Sequence, residues 1–240
     1  METIGIRRIQ FLNVPVDCVD QENALRAVEA FLQDGQRHQL VFVDRRGLLR
    51  ARHNPEFRRC LREASLVLPT SREIVNGARF LKEGGFSLFT PFTFVIRLLA
   101  LAERLNRSVY LLGARKGDLV KGEKNLRDSF PGLRLVGRYA GYFGRDMEKN
   151  VLLAIKKASP SFLLVGNGLS AKDLWILRHK KELNPGIYLW AGDCFDLFSG
   201  KKKSAAGGLT AFLRQPWRVL FLFSSLYFWL LLLVRKAFKL

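Results

Sequence analysis

A chain of 240 residues is long enough for one well-buried domain with an appendage and too short for two large domains. With 48% hydrophobic and 25% charged residues, it is neither a disordered chain nor a polytopic membrane protein. Lys+Arg 40 against Asp+Glu 21 leaves a formal charge of +19, which calls for a polyanionic neighbour: nucleic acid, an anionic membrane surface or a phosphate-bearing substrate.

In chain order, residues 9–16 read as extended. Asp20 then opens an amphipathic segment that ends at the turn signal Asp34-Gly35. Residues 40–43 are a short apolar run of the buried-strand type. Asn54-Pro55 starts the second helix, with Asn as N-cap and Pro in the first helical position. A brief strand at 66–68 follows, and Thr70-Ser-Arg-Glu73 has capping-box spacing before another helix. After Pro91 a helix runs to about Asn106. Next come strand 108–112, helix 119–129, strand 133–136, helix 147–158, strand 162–165, helix 171–181 and strand 187–190. Strands separated by helical crossovers predict an α/β fold with a mostly parallel, Rossmann-like sheet covered on both faces.

The compositional break at Lys201–Gly208, KKKSAAGG, divides this domain, residues 1–205, from a segment at 206–240. From Lys201 onward there are eight basic residues, Arg214, Arg218, Arg235 and Lys236 among them, and no acidic one. Within the tail, residues 219–234 form an uncharged stretch of 16, at the lower limit for spanning a bilayer. Trp217 and Trp229 suit an interface, and cations flank the apolar run. The expectation is membrane attachment, with a buried C-terminal helix as the alternative. No apolar core resembling a secretory signal opens the chain, so the globular part is expected in the cytoplasm. Cys18, Cys60 and Cys194 lie far apart, as do the three histidines, which argues against a disulfide framework and a zinc finger. No metal site and no cofactor are expected, and no nucleic-acid module is legible.

Ligands of such sheets bind beyond the carboxyl ends of the strands, and the glycines gather there. Gly113 and Gly117, then Gly137, Gly141 and Gly144, then Gly166 and Gly168, then Gly192 and Gly200 follow four successive strands. Amides behind glycine turns can receive a phosphate, so these turns predict a nucleotide or phosphorylated ligand.

The strings VYLLGARKGDLVKGEKNLRDSFPGLRLVGRYAGYF (109–143), SPSFLLVGNGLSAKDLWI (159–176) and GDCFDLFSGKKKSA (192–205) resemble the WecG/TagA/CpsF family of glycosyltransferases. So do NVPVD (13–17) and NPEFRRCLREASLVLP (54–69), so the resemblance runs in order through nearly the whole chain. It implies metal-independent, inverting transfer of an N-acetylhexosamine-type sugar from a UDP donor. The implied acceptor is polyprenyl-pyrophosphate-linked, the implied place is the cytoplasmic face of the cell membrane, and self-association is plausible. It also implies that Gly141, Tyr142, Phe143 and Asp196 lie around the nucleotide, to which the turn argument adds Gly113, Gly166 and Gly168. Asp196 would contact ribose or base, or else simply start a helix. Lys172 either replaces a lost cation near the pyrophosphate or is a solvated lysine.

The departures from the family fall on the chemistry. Its Leu-Pro-Asp-Gly, whose aspartate is the proposed general base, reads Leu68-Pro69-Thr70-Ser71 here. A threonine hydroxyl needs a base of its own near neutral pH. Asp44 and Glu73 are the candidate replacements, Glu73 also being the expected capping partner of Thr70. Two readings follow: a divergent transferase of envelope polysaccharide synthesis, or an inactive relative serving as a nucleotide- or lipid-binding scaffold at the membrane.

Overall fold

The computed structural model describes residues 6–201 and a helix at 217–238, with side chains in that helix over 224–237. The predicted division at 205/206 and Arg214 lie outside the described residues. The expected extended run at 9–16 is a hairpin, β1 (Arg7–Phe11) and β2 (Val14–Cys18), paired antiparallel. Leu12 and Asn13 both take positive φ, 50° and 64°, at its two-residue turn. Right-handed strand twist favours such a turn, but neither residue is the glycine that usually announces it.

Six parallel strands form the main sheet in the order β4-β3-β8-β7-β5-β6. They are β3 (Arg37–Val43), β4 (Leu66–Pro69), β5 (Ser108–Leu112), β6 (Arg134–Tyr139), β7 (Phe162–Gly166) and β8 (Gly186–Gly192). The α/β prediction therefore holds, and the inner strands are apolar on both faces because helices cover both. Leu40, Leu111, Leu164 and Leu189 point to the side covered by α1 (Gln21–Phe31), α5 (Pro91–Arg104), α6 (Lys116–Ser129) and α9 (Cys194–Phe198). Alternate residues point the other way. Val41, Val43 and Val67 meet α2 (Arg45–His53), α3 (Pro55–Glu63) and α4 (Arg72–Leu81). Tyr110, Leu112, Leu163 and Val165 meet α7 (Glu148–Ala158) and α8 (Trp175–His179).

Local signals explain most boundaries. Asp20 caps α1 by accepting from the Asn23 amide, and Asn54 caps α3 through the Phe57 amide with Pro55 in the first turn. The capping box at Thr70–Glu73 does not form. Ser71 is the N-cap and makes no side-chain capping bond, which puts Glu73 one residue too early to reach back. The expected helix at 171–181 is broken into a 3₁₀ turn at Lys172–Leu174, α8, and a second 3₁₀ turn at Lys180–Glu182. Helix α2 has no counterpart in the sequence reading.

The C-terminal helix, α10 (Trp217–Phe238), is seated on the body. Phe228 and Leu232 join the core beside Phe11 and α4. Trp229 packs edge-on against Phe80, the Lys236 ammonium lies 3.8 Å from the centre of the Phe80 ring, and Arg235 pairs with Glu83 at 2.7 Å. Gly77 on α4 makes the approach feasible: a Cβ there would lie 2.8 Å from Leu232 and 3.1 Å from Phe11. Gly77→Leu is expected to cost about 1–3 kcal/mol by overpacking, and limited proteolysis should show cleavage near α10 accelerated relative to the sheet.

A half-buried staple ties the α1–β3 turn to the start of β4: His38 stacks on Phe31 and bridges Asp34 (2.8 Å) and Ser65 (2.9 Å). Burial alone would raise the Asp34 carboxyl, but hydrogen bonds from His38 and the Gln36 amide outweigh it and hold it below the usual value of 3.8. A depressed acid stabilises the fold above its unfolded pKa and loses that contribution as pH falls through the folded one. Stability is therefore expected to fall below about pH 4, with a smaller acid loss in Asp34→Asn. Denaturant midpoints measured between pH 2.5 and 6, on the order of that range, check it.

Candidate active site

Parallel strands place all their carboxyl ends on one rim, and the residue after each strand is the first that can face a ligand. Asp44 follows β3, Thr70 follows β4, and Asp193 follows β8. Asp44 caps α2 with one oxygen accepting from the Gly47 amide at 2.7 Å. The Thr70 amide donates to the Val43 carbonyl at 2.9 Å, which holds the two strand ends together.

Two clefts open on this rim. The first, about 510 Å³, runs from Asp44 and Thr70 past Phe92 to Asp193 and Leu197. The second, about 390 Å³, lies between α2 and the loop after β7, walled by Arg46, Arg50, Phe57 and Asp173. Phe42, Asp44 and Trp190 line both, so Asp44 stands on their shared partition. The charges differ. The ionisable residues on the wall of the first cleft are acidic, whereas two arginines line the second. One of them, Arg50, pairs with Asp173 at 2.6 Å and lies over the Phe57 ring at 4.3 Å.

Glu73, the other candidate base, is not on the wall of either cleft. Its carboxylate lies 3.9 Å from Arg45, a guanidinium only 2% exposed. The structure thus brings Asp44 and Thr70 together and sets Glu73 apart.

The glycine turns after β5, β6 and β7 interlock. The Ala114 amide donates to Asn167, the Gly141 amide to Ala114, and the Tyr142 amide to Gly168, at 2.7, 2.8 and 2.6 Å. A Cβ on Gly113, whose φ is +117°, would sit 2.8 Å from the Gly166 backbone. Several amides that the sequence reading offered to a phosphate are therefore spent on neighbouring loops. What the cluster presents outward is Tyr142, exposed, with the Arg115 guanidinium 5.8 Å from its ring centre and Phe143 packed on Tyr139 behind it. The cluster abuts the first cleft, because the Asn167 side chain donates to Asp193 at 3.0 Å. Asp196 lies half-buried in the first turn of α9, and Lys172 occupies the 3₁₀ turn next to Asp173.

Of the residues expected at a membrane, Trp229, Arg235 and Lys236 make the contacts that seat α10. Trp217 and Arg218 lie on its backbone, with side chains outside those described. The outer face of α10 instead presents Leu226 (70% exposed), Tyr227, Leu230, Leu233 and Val234. Among the described residues, no helix is long and apolar enough to cross a membrane, and no three His, Cys, Asp or Glu side chains gather as a metal-binding group.

Sequence reasoning missed Arg46, Arg50 and Trp190. Arg46 and Arg50 sit four apart on one face of the unread helix α2, and the available signal was Asp44 as an N-cap directly after an apolar strand.

The profile of the Glycosyl transferase WecG/TagA/CpsF family matches residues 9–239. A curated relative from Bacillus spizizenii, N-acetylglucosaminyldiphosphoundecaprenol N-acetyl-beta-D-mannosaminyltransferase, is 25% identical over 65% of this chain and 60% of its own length. A protein of the same name from Staphylococcus aureus is 22% identical over 60% of this chain and 56% of its own length. The chain thus spans less than two thirds of the relatives it matches.

Proposed function

The chain belongs to the WecG/TagA/CpsF family of glycosyltransferases, and from that premise we propose that it transfers an N-acetylhexosamine-type sugar to a polyprenyl-diphosphate-linked acceptor in envelope polysaccharide synthesis. The donor is a UDP-sugar and the reaction is inverting and metal-independent. The observation that carries this reading is the single carboxylate, Asp44, on the partition between two clefts at the carboxyl rim of the sheet. A base between two ligand compartments is what a direct transfer needs. An acceptor hydroxyl oxygen attacks the anomeric carbon, its proton passes to Asp44, and the bond from that carbon to the diphosphate oxygen breaks. The electron pair leaves with UDP. Thr70, which stands where the family has its aspartate, faces the same space and can donate a hydrogen bond to the acceptor.

In this assignment the nucleoside lies toward Tyr142, Phe143 and Asp196, where the glycine cluster abuts the first cleft, and Lys172, in the turn that carries Asp173, is a candidate cation for a phosphate. The outer apolar face of α10 rests on the cytoplasmic leaflet, helped by the cations of the tail. That face is the feature in favour of peripheral attachment: its exposed leucines fall at i, i+4 and i+7, the spacing of one helical stripe.

The test is UDP release by the full chain in detergent, with UDP-N-acetylmannosamine as donor and a short polyprenyl-diphosphate N-acetylglucosamine as acceptor. Acceptor-dependent release is the expected result. Absence of turnover, with UDP still bound, would replace this reading with the inactive scaffold.

A further inference from the structure

We propose that Arg46 and Arg50 form a diphosphate subsite on the lipid-linked side of the reaction, with Asp173 as the internal anion that holds Arg50 until the ligand displaces it. The inference rests on the transferase reading and adds to it a direction: which cleft receives which partner.

Three observations carry it. First, the charge is asymmetric. Both clefts share Asp44, but the arginines line only the smaller one, where they balance Asp44 and Asp173, so that wall offers cations to a diphosphate once Asp173 releases Arg50. Second, Arg50 is already set in a recognition geometry. Its guanidinium lies over Phe57 at 4.3 Å and presents its edge to the Asp173 carboxylate at 2.6 Å. A flat, preorganised fork facing an oxygen anion suits phosphate as well as carboxylate. Asp173 belongs to the short 3₁₀ turn after β7, whereas Arg50 belongs to α2, so the ion pair closes the cleft between two elements far apart in sequence. Third, α2 is one of the helices that α10 touches. The arginine cleft is therefore built on an element in direct contact with the helix whose exposed apolar face would meet the bilayer, while the glycine cluster reaches the other cleft through the Asn167–Asp193 bond. A ligand with its diphosphate at Arg46 and Arg50 would bring its sugar to Asp44 from the side of the lipid.

Diphosphates occur in both substrates, so the experiment separates them. Binding of farnesyl diphosphate and of UDP is measured by calorimetry on the detergent-solubilised full chain, in the wild type, Arg50→Gln and Asp173→Asn. The proposal expects Arg50→Gln to weaken farnesyl diphosphate by about tenfold or more, as loss of a charge-assisted pair does, and to leave UDP within about twofold. Asp173→Asn is expected to tighten farnesyl diphosphate severalfold, because the competing carboxylate is neutralised. A gain of affinity cannot come from misfolding, so this arm holds even if Arg50→Gln is unstable. Farnesyl diphosphate binding indifferent to both substitutions would overturn the subsite. UDP alone responding would overturn its assignment to the lipid side. If neither sugar donor nor acceptor turns over while these shifts appear, the transferase reading fails and the diphosphate subsite survives.

Discussion

Asp17→Ala is expected to lower stability by about 3 kcal/mol, near the cost of breaking a buried ion pair from one side, and the melting temperature by about 6–12 °C at this chain length. The Asp17 carboxylate is 0% exposed and carries three bonds. Arg8 donates to its two oxygens at 2.7 and 2.8 Å, and the Val67 amide of β4 donates at 2.7 Å. β4 is an outer strand of the main sheet, so its amides on that side have no strand partner, and Asp17 supplies an acceptor in place of a backbone carbonyl. The same bonds raise the Arg8 pKa, through the hydrogen bond to Asp17 first. Alanine would leave the Val67 amide buried without an acceptor and the Arg8 guanidinium without its anion. Asp17→Asn keeps an acceptor for Val67 and loses the charge, so it is expected to cost less. Equal melting curves for Asp17→Ala and the wild type would show that the hairpin does not secure the sheet.

The second large effect concerns chemistry. Asp44→Asn is expected to reduce acceptor-dependent UDP release by about 10²–10⁴-fold, the usual contribution of a general base, with little change in the melting curve. The separation is possible because asparagine is as good an N-cap as aspartate, so the bond from the Gly47 amide persists while the proton acceptor disappears. Glu73→Gln should leave turnover near that of the wild type, since Glu73 is turned to Arg45 and away from the clefts. If Glu73→Gln abolished turnover and Asp44→Asn did not, the base would have to be reassigned. Thr70→Ala is expected to fall between them, because a lost hydrogen bond to the acceptor weakens positioning without removing the proton acceptor.

The strand-helix alternation from Ser108 onward was legible in the sequence because each apolar run is bounded by a glycine or a capping residue, and apart from the broken helix at 171–181 the structure follows it within a few residues. Two stretches escaped. The Leu12-Asn13 turn is made by non-glycine residues in a left-handed conformation, which composition does not announce. α2 contains Gly47 and is rich in arginine, and its buried side includes Leu48, Ala51 and the guanidinium of Arg45, so its apolar signal is thin. That omission hid half of the candidate site, since Arg46 and Arg50 make sense only as neighbours on a helix face. The glycine turns pose the reverse problem. Their positions were evident, yet whether an amide after a glycine faces a phosphate or another loop depends on how three strand ends meet, and that is settled by tertiary contact.

With β4 shielded by the hairpin, the main sheet has its open rim at β6. There Arg134 and Arg138 stand on the exposed positions of the strand, on either side of Val136. A bare strand edge is a template for pairing with another molecule, and long charged side chains standing along it hinder such pairing. Arg138 is paired with Glu123 and Arg134 reaches the Asn106 carbonyl, so a strand from another copy could add at this edge only by displacing both guanidiniums from partners within the chain.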